Sequence, residues 1–396
     1  MAVLLGIERD DEVRALLRGR RIGLVTNAGA TDSRLVPAVD RLCERFTIAA
    51  LFGPEHGIRG DAAAGDAVAS GVDERSGVPV YSLYGENRSP SPDQLSALDA
   101  VVVDLPDVGA RFYTYLSTVA YVMEACAAAS LPCIVLDRPN PIGGEIVEGI
   151  KLDRRYSSFV GLFPVPARHG LTIGEYAVFI NDTERLGCEL HVVAMAGWRR
   201  ELYADQLGHP WVMPSPNLPT VESATVYAGT CLFEGTNLSE GRGTTKPFEL
   251  IGAPWLDTER VLRALRAPAA KPSSTVVAAT ATAPELAGVG LRECCFRPTA
   301  SKYTGETCHG VQLHVTDRSV FRPYSAGVAI LDAIRRTHEQ FAFLEPTPGA
   351  RYFIDLLSGD DSLRSEGFRL AEYLDRCRED SVAFIAARRR YLLYPA

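Results

Sequence analysis

Thr47-Ile48-Ala49-Ala50-Leu51-Phe52, followed by Gly53-Pro54-Glu55-His56-Gly57-Ile58-Arg59-Gly60, reads as a short buried strand that empties into a charged loop. In open parallel α/β sheets the carboxyl ends of the strands are where ligands bind and chemistry is done. Gly53, Gly57 and Gly60 let the backbone approach a ligand closely, and Pro54 stiffens the entry. Glu55 is the first candidate for an acid–base group, with His56 beside it. Taken alone, a Glu-His pair of this kind is better read as a turn carrying solvated charges.

Two further loops shift that balance. Asp99 to Leu105 is strand-like and runs into Pro106-Asp107-Val108-Gly109-Ala110-Arg111-Phe112-Tyr113-Thr114-Tyr115. Pro132 to Leu136 is a third such run, ending in Asp137-Arg138-Pro139-Asn140-Pro141-Ile142-Gly143-Gly144-Glu145. Three carboxylate- and Arg-bearing loops at the ends of successive parallel strands converge on one sheet edge, which favours a pocket.

Outward from these loops, strands and helices alternate from residue 20 to about 195. Expected strands are Arg21–Thr26, 47–52, an edge strand at Val78–Tyr81, 100–105, 132–136 and Glu189–Ala194. Expected helices are Ser33–Phe46, Pro92–Leu98 and Tyr115–Ala129, with another opened by the capping box Thr172-Ile173-Gly174-Glu175 and running through Leu186. This β-α alternation calls for a parallel sheet covered by helices on both faces. After Trp198 the composition turns to Pro, Gly, Asn and Thr. There the reading is a strand at Thr225–Leu232, a small helix near 258–266 and an Ala/Pro/Ser/Thr tract at 267–284. Strands at Leu291–Phe296 and Val311–Val315 and a helical tail from Tyr324 complete it. The expected division is 1–212 and a smaller α+β domain at 213–396.

Composition narrows the function classes. A net charge of −8 without a Lys/Arg-rich face argues against a nucleic-acid partner. No run of eighteen apolar residues is present, so no membrane span is expected. The nine Cys are scattered without C-x-x-C spacing, which suits buried free thiols in a reducing compartment. The N-terminal segment lacks a basic region and a long apolar stretch, so the chain as written is expected in the cytoplasm, or exported if a leader was removed. There is no G-x-S-x-G elbow, phosphate loop, dinucleotide fingerprint, H-E-x-x-H or zinc-spaced Cys/His cluster, and neither metal nor cofactor is expected.

What remains is carboxylates, Tyr, Asn and Arg. Glycoside hydrolysis needs a carboxylic acid to protonate the leaving oxygen and a second group to stabilise positive charge at the sugar carbon. Glu55, behind Pro54 in partly apolar surroundings, suits the acid. Asp104, Asp107, Glu234 and Glu249 all remain candidates for its partner. The stretch from Phe233 to Glu249 has two readings: a flexible surface loop, which composition alone favours, and a functional loop closing over the cleft.

Six strings, GPEHGIRG (53–60), DLPDVGARFYTY (104–115), DRPNPIGG (137–144), HGLTIGE (169–175), SPNLP (215–219) and FEGTNLSEGRGTTKPFE (233–249), together resemble the NamZ-type exo-β-N-acetylmuramidases. The resemblance runs from about Leu5 to the C-terminus. It implies a Rossmann-like domain, a smaller second domain, a cleft between them and no organic cofactor. It further implies release of N-acetylmuramic acid from the non-reducing ends of peptidoglycan fragments such as MurNAc-GlcNAc, with the catalytic glutamate at Glu55. On that substrate, Arg59, Arg111, Arg242 or Lys246 is expected to pair with the lactyl carboxylate, Arg242 and Arg59 first. Tyr113 and Tyr115 are expected to stack on the sugar or bond its acetamide, with Asn140 and Asn237 as further polar contacts. The alternatives are a hydrolase of another N-acetylated or acidic sugar, and a non-catalytic muropeptide or sugar binder.

Overall fold

The computed structural model describes residues 3–60, 70–266 and 283–395. Strands β1 (Arg21–Thr26), β2 (Thr47–Gly53), β3 (Gly71–Val72), β4 (Pro79–Ser82), β5 (Ala100–Asp104), β6 (Cys133–Leu136) and β7 (Leu190–Val193) form one sheet in the order β3-β4-β2-β1-β5-β6-β7. All neighbouring pairs are parallel except β3 with β4. The chain builds outward from β1 to β4, then returns to place β5 on the other side of β1. The strand order therefore reverses between β1 and β5, and a crevice opens beyond their carboxyl ends. The edge at this side is β3 rather than the expected strand at 78–81. Pro79 is tolerated because it opens β4, opposite a β3 only two residues long.

The sheet is flanked by α1 (Asp10–Leu17), α2 (Ala38–Cys43), α3 (Pro92–Leu95), α4 (Tyr115–Ala129) and α5 (Ile173–Thr183). The capping box at α5 forms as the sequence indicates: Thr172 Oγ1 accepts from the Glu175 amide and Glu175 Oε2 from the Thr172 amide. Helix α2 is much shorter than the expected 33–46. Asp32 Oδ1 accepts from the amides of both Arg34 and Val36, Leu35 takes φ 65°, and the resulting turn holds the chain until Pro37.

The second part contains α6 (Val221–Thr230), α7 (Thr258–Ala264), α8 (Pro323–Thr337), α9 (Phe353–Ser358) and α10 (Leu370–Arg388). Its antiparallel sheet has the order β8-β10-β9, with β8 (Leu250–Ala253), β9 (Val289–Phe296) and β10 (Cys308–Val315). The tract at 267–284 lies outside the described residues up to position 282. The nine thiols are all unpaired, and seven are buried.

The strand expected at Thr225–Leu232 is a helix. Its β-branched residues favour extended backbone in isolation. Tertiary burial overrides that preference, while Thr225 and Thr230 satisfy their hydroxyls on the carbonyls of Val221 and Val226. Helix α6 crosses α8 where two glycines meet: a Cβ on Gly229 would lie 1.8 Å from the Pro323 carbonyl oxygen, and one on Gly327 2.6 Å from that of Gly229. Gly229→Ala is therefore expected to lower the unfolding free energy by roughly 1–3 kcal/mol through overpacking. A denaturant midpoint equal to the parent's would show that the crossing relaxes freely. The two parts share one continuous apolar core. Helix α10 returns to the first sheet's flank, where Phe384 meets Phe179 at 5.4 Å and Arg388 donates to the carbonyls of His169, Gly170 and Gly144.

Candidate active site

The loops after β1, β2 and β5 are tied together by one hydroxyl. Tyr115 OH, at the start of α4, accepts from Asn27 Nδ2 at 2.7 Å and donates to the backbone oxygen of Glu55 at 2.9 Å. Tyr113 OH donates to the Pro214 carbonyl at 2.9 Å, and the two tyrosine rings lie 4.6 Å apart. Burial pushes both phenols up from their ordinary range, so they act as neutral donors. Next to them, Thr114 Oγ1 donates to Glu55 Oε2 at 2.8 Å and fixes the orientation of that carboxylate. The loop reaches this geometry through a turn closed by Gly57 N on Pro54 O at 3.0 Å, with His56 at φ 73° and Gly57 at φ 71°. A buried non-glycine residue in the left-handed region is a strained position that its surroundings must hold.

Glu55 and His56 open into a cleft of about 970 Å³. One wall carries Tyr84, Arg88, Phe159 and Tyr113, all from the sheet side. Tyr227, Glu234, Arg242, Phe248 and Phe353 come from the second part of the chain. Glu234 and Arg242 meet there at 2.5 Å, Arg242 also approaches Glu240 at 3.3 Å, and Lys302 pairs with Glu240 at 2.8 Å. Burial raises the Glu234 carboxyl above the ordinary range against the pull of Arg242. Burial opposes the Arg242 charge too, but Glu234 and Glu240 hold its pKa above the ordinary value. Of the four carboxylates weighed as partners for Glu55, Glu234 alone lines this cleft.

The other three are engaged elsewhere. Asp104 is buried against Arg138, with Nη2 to Oδ2 at 2.8 Å. Asp107 Oδ2 accepts from the Gly109 amide and faces His169 Nε2 at 3.2 Å, while His169 Nδ1 accepts from the Leu171 amide. Glu249 holds Lys246 at 3.0 Å and accepts from Ser223 Oγ. Neither Glu249 nor Lys246 lines the cleft.

The basic and amide candidates divide in the same way. Arg59 is a bidentate partner of Asp73, at 2.8 and 2.9 Å, and also reaches Asp40. Arg111 is fully buried, and its two terminal nitrogens donate to the carbonyls of Ile150, Val165, Leu357 and Ser358 at 2.7–2.8 Å. Asn140 bridges the Leu171 carbonyl and the Ile142 amide, and Asn237 bridges the Gln340 carbonyl and the Ala342 amide. These four stitch loops together and do not face the cleft.

Sequence reasoning passed over Thr114, Tyr84, Arg88, Phe159, Asn217 and Tyr227 as cleft residues. Thr114 was discoverable, since it sits between the two tyrosines of a singled-out string. Arg88 and Phe159 carry no local signal, because they meet only through folding. Among the described residues, no group of three or more His, Cys, Asp and Glu is arranged to hold a metal, and no helix is long and apolar enough to cross a membrane.

Comparisons with known proteins agree with this architecture. A protein of Bacillus subtilis (strain 168) named peptidoglycan beta-N-acetylmuramidase NamZ is 45% identical over 384 residues, covering 96% of this chain and 88% of the relative. Two solved DUF1343 family proteins from Bacteroides fragilis NCTC 9343 align over 100% of this chain and 99% of theirs. Their TM-scores are 0.85 and 0.75, at 33% and 29% identity. Residues 22–222 match the family model described as exo-beta-N-acetylmuramidase NamZ, N-terminal, and residues 225–394 match its C-terminal counterpart. From Ile22 to Tyr394, with only a two-residue gap between the matches, this chain belongs to the NamZ family of exo-β-N-acetylmuramidases.

Proposed function

We propose that the chain is a glycosidase of peptidoglycan that releases N-acetylmuramic acid from non-reducing ends, with Glu55 protonating the leaving oxygen. Family membership and the Bacillus subtilis relative support a β-N-acetylmuramidase acting on peptidoglycan. The observation that carries the residue assignment is the Glu55 carboxylate, oriented by Thr114 and opening into the cleft between the two parts of the chain. A proton donor must stand at a defined place beside the glycosidic oxygen, and an oriented carboxyl meets that need. Glu234 is the second carboxylate of the reaction, held by Arg242 across the same cleft. Tyr113 and Tyr115 support Glu55: their hydroxyls are spent on Pro214 and on the Glu55 backbone, which leaves the Tyr113 ring as cleft wall.

The exo mode has a direct test with two disaccharides of opposite order. MurNAc-GlcNAc, with muramic acid at the non-reducing end, is expected to give free N-acetylmuramic acid. GlcNAc-MurNAc is expected to stay intact. Product analysis by mass spectrometry reads both. Cleavage of both disaccharides, or of glycan chains internally, rules out the exo assignment. A thermal shift with no product from either identifies a binding protein instead.

A further inference from the structure

An anionic substrate entering the cleft needs a cation that no carboxylate of the protein already holds. Glu55 and Glu234 both line it, and the arginines that line it are Arg88 and Arg242. Arg242 is already shared between Glu234 at 2.5 Å and Glu240 at 3.3 Å, and it lies over the Phe248 ring at 5.1 Å. Its positive charge is matched by carboxylates of the same chain, so a substrate carboxylate would compete with two fixed ones. Arg59, Arg111 and Lys246 lie outside the cleft. Arg88 differs from all of them. It is exposed, forms no ion pair with another described residue, and stands over the Phe159 ring at 4.6 Å. Phe159 is itself braced by Tyr121, its ring nearly parallel at 6.3 Å, and by Tyr84 at 5.9 Å. A guanidinium resting on an aromatic face loses side-chain freedom while its edge N–H donors stay open to a planar anion. The column Tyr121–Phe159–Arg88 thus presents, on the wall of a cleft that also holds Glu55 and Glu234, a partly immobilised cation paired with no carboxylate among the described residues.

We propose that Arg88 reads the substrate's carboxylate, the lactyl group of muramic acid, and so sets the preference for muramides over the corresponding glucosaminides. The proposal rests on the muramidase reading above and adds the residue that enforces it. A charge-assisted, bidentate contact of this kind is worth about 10- to 150-fold in affinity. Arg88→Gln is expected to lower kcat/KM on a chromogenic N-acetylmuramide by that factor and to leave the matching N-acetylglucosaminide nearly unchanged. Arg88→Lys keeps the charge without the fork, so its preference should fall between the two.

Because Arg88 is exposed, melting temperatures of the variants should match the parent's. Calorimetric binding of N-acetylmuramic acid against N-acetylglucosamine reads the same contact without turnover. Parental discrimination lost in Arg88→Gln supports the proposal. An unchanged ratio in both assays overturns it, as does an equal fall on both sugars, which would mark Arg88 as a wall residue only. A parent that binds muramic acid selectively through Arg88 but releases no sugar would sink the hydrolase reading and leave the contact standing.

Discussion

Glu55→Gln is expected to lower turnover of a chromogenic N-acetylmuramide by roughly 10²–10⁴-fold, the usual effect of losing a general acid. The amide is nearly isosteric, and its oxygen can still accept the Thr114 hydroxyl that now holds Glu55 Oε2 at 2.8 Å. Folding should therefore be preserved, and substrate binding should change little. Initial rates with the melting temperature as control make the measurement. The choice of leaving group sharpens it: an activated phenol needs little protonation, so the loss on the chromogenic substrate should be smaller than on MurNAc-GlcNAc. Parental rates on both substrates remove Glu55 from the mechanism, and an equal large loss on both would point to a role other than proton donation.

Arg111→Met should behave in the opposite way, through stability rather than specificity. The guanidinium closes four buried carbonyls, two from the segments at Ile150 and Val165 and two from Leu357 and Ser358 at the end of α9. Arg111 is fully buried, and that burial depresses its pKa from the ordinary value. Methionine fills much of the volume but leaves the carbonyls of Ile150, Leu357 and Ser358 without the donor they now have, while Val165 O keeps only the Leu152 amide at 3.2 Å. Breaking a buried charged network typically costs roughly 3–5 kcal/mol. Urea unfolding should show that loss, whereas the muramide-to-glucosaminide ratio of whatever protein remains folded should equal the parent's. A stable variant with a collapsed ratio would return Arg111 to the substrate.

How far the sequence could be read varies with the range of the interaction involved. The parallel sheet, α4, α5 with its capping box and the loop holding Glu55 were legible because alternating apolar runs, caps and glycine-rich turns are local signals. The misreadings each had a non-local or side-chain cause. Asp32 diverted the start of α2 into a turn, and burial against α8 turned β-branched Thr225 and Val226 into helix. The choice among arginines was not legible at all. Arg59, Arg111 and Arg242 sit in motif loops among glycines and aromatics, and their surroundings in sequence are nearly equivalent. In space one pairs with Asp73, one with four carbonyls and one with Glu234.

By itself the sequence determined the α/β class and the sheet edge at which the loops after β2 and β5 meet, and it offered Glu55 as the candidate there, whereas no residue of the 137–145 loop lines the cleft. Each of these follows from periodicity and from which residue types follow a strand. Only the tertiary structure decided which charges remain uncompensated. A side chain's net charge in a cleft depends on partners tens or hundreds of residues away, as with Arg111 and Ser358, or Glu55 and Thr114. Arg88 stands over Phe159 and is paired with no carboxylate among the described residues, and that arrangement exists only once the chain has folded.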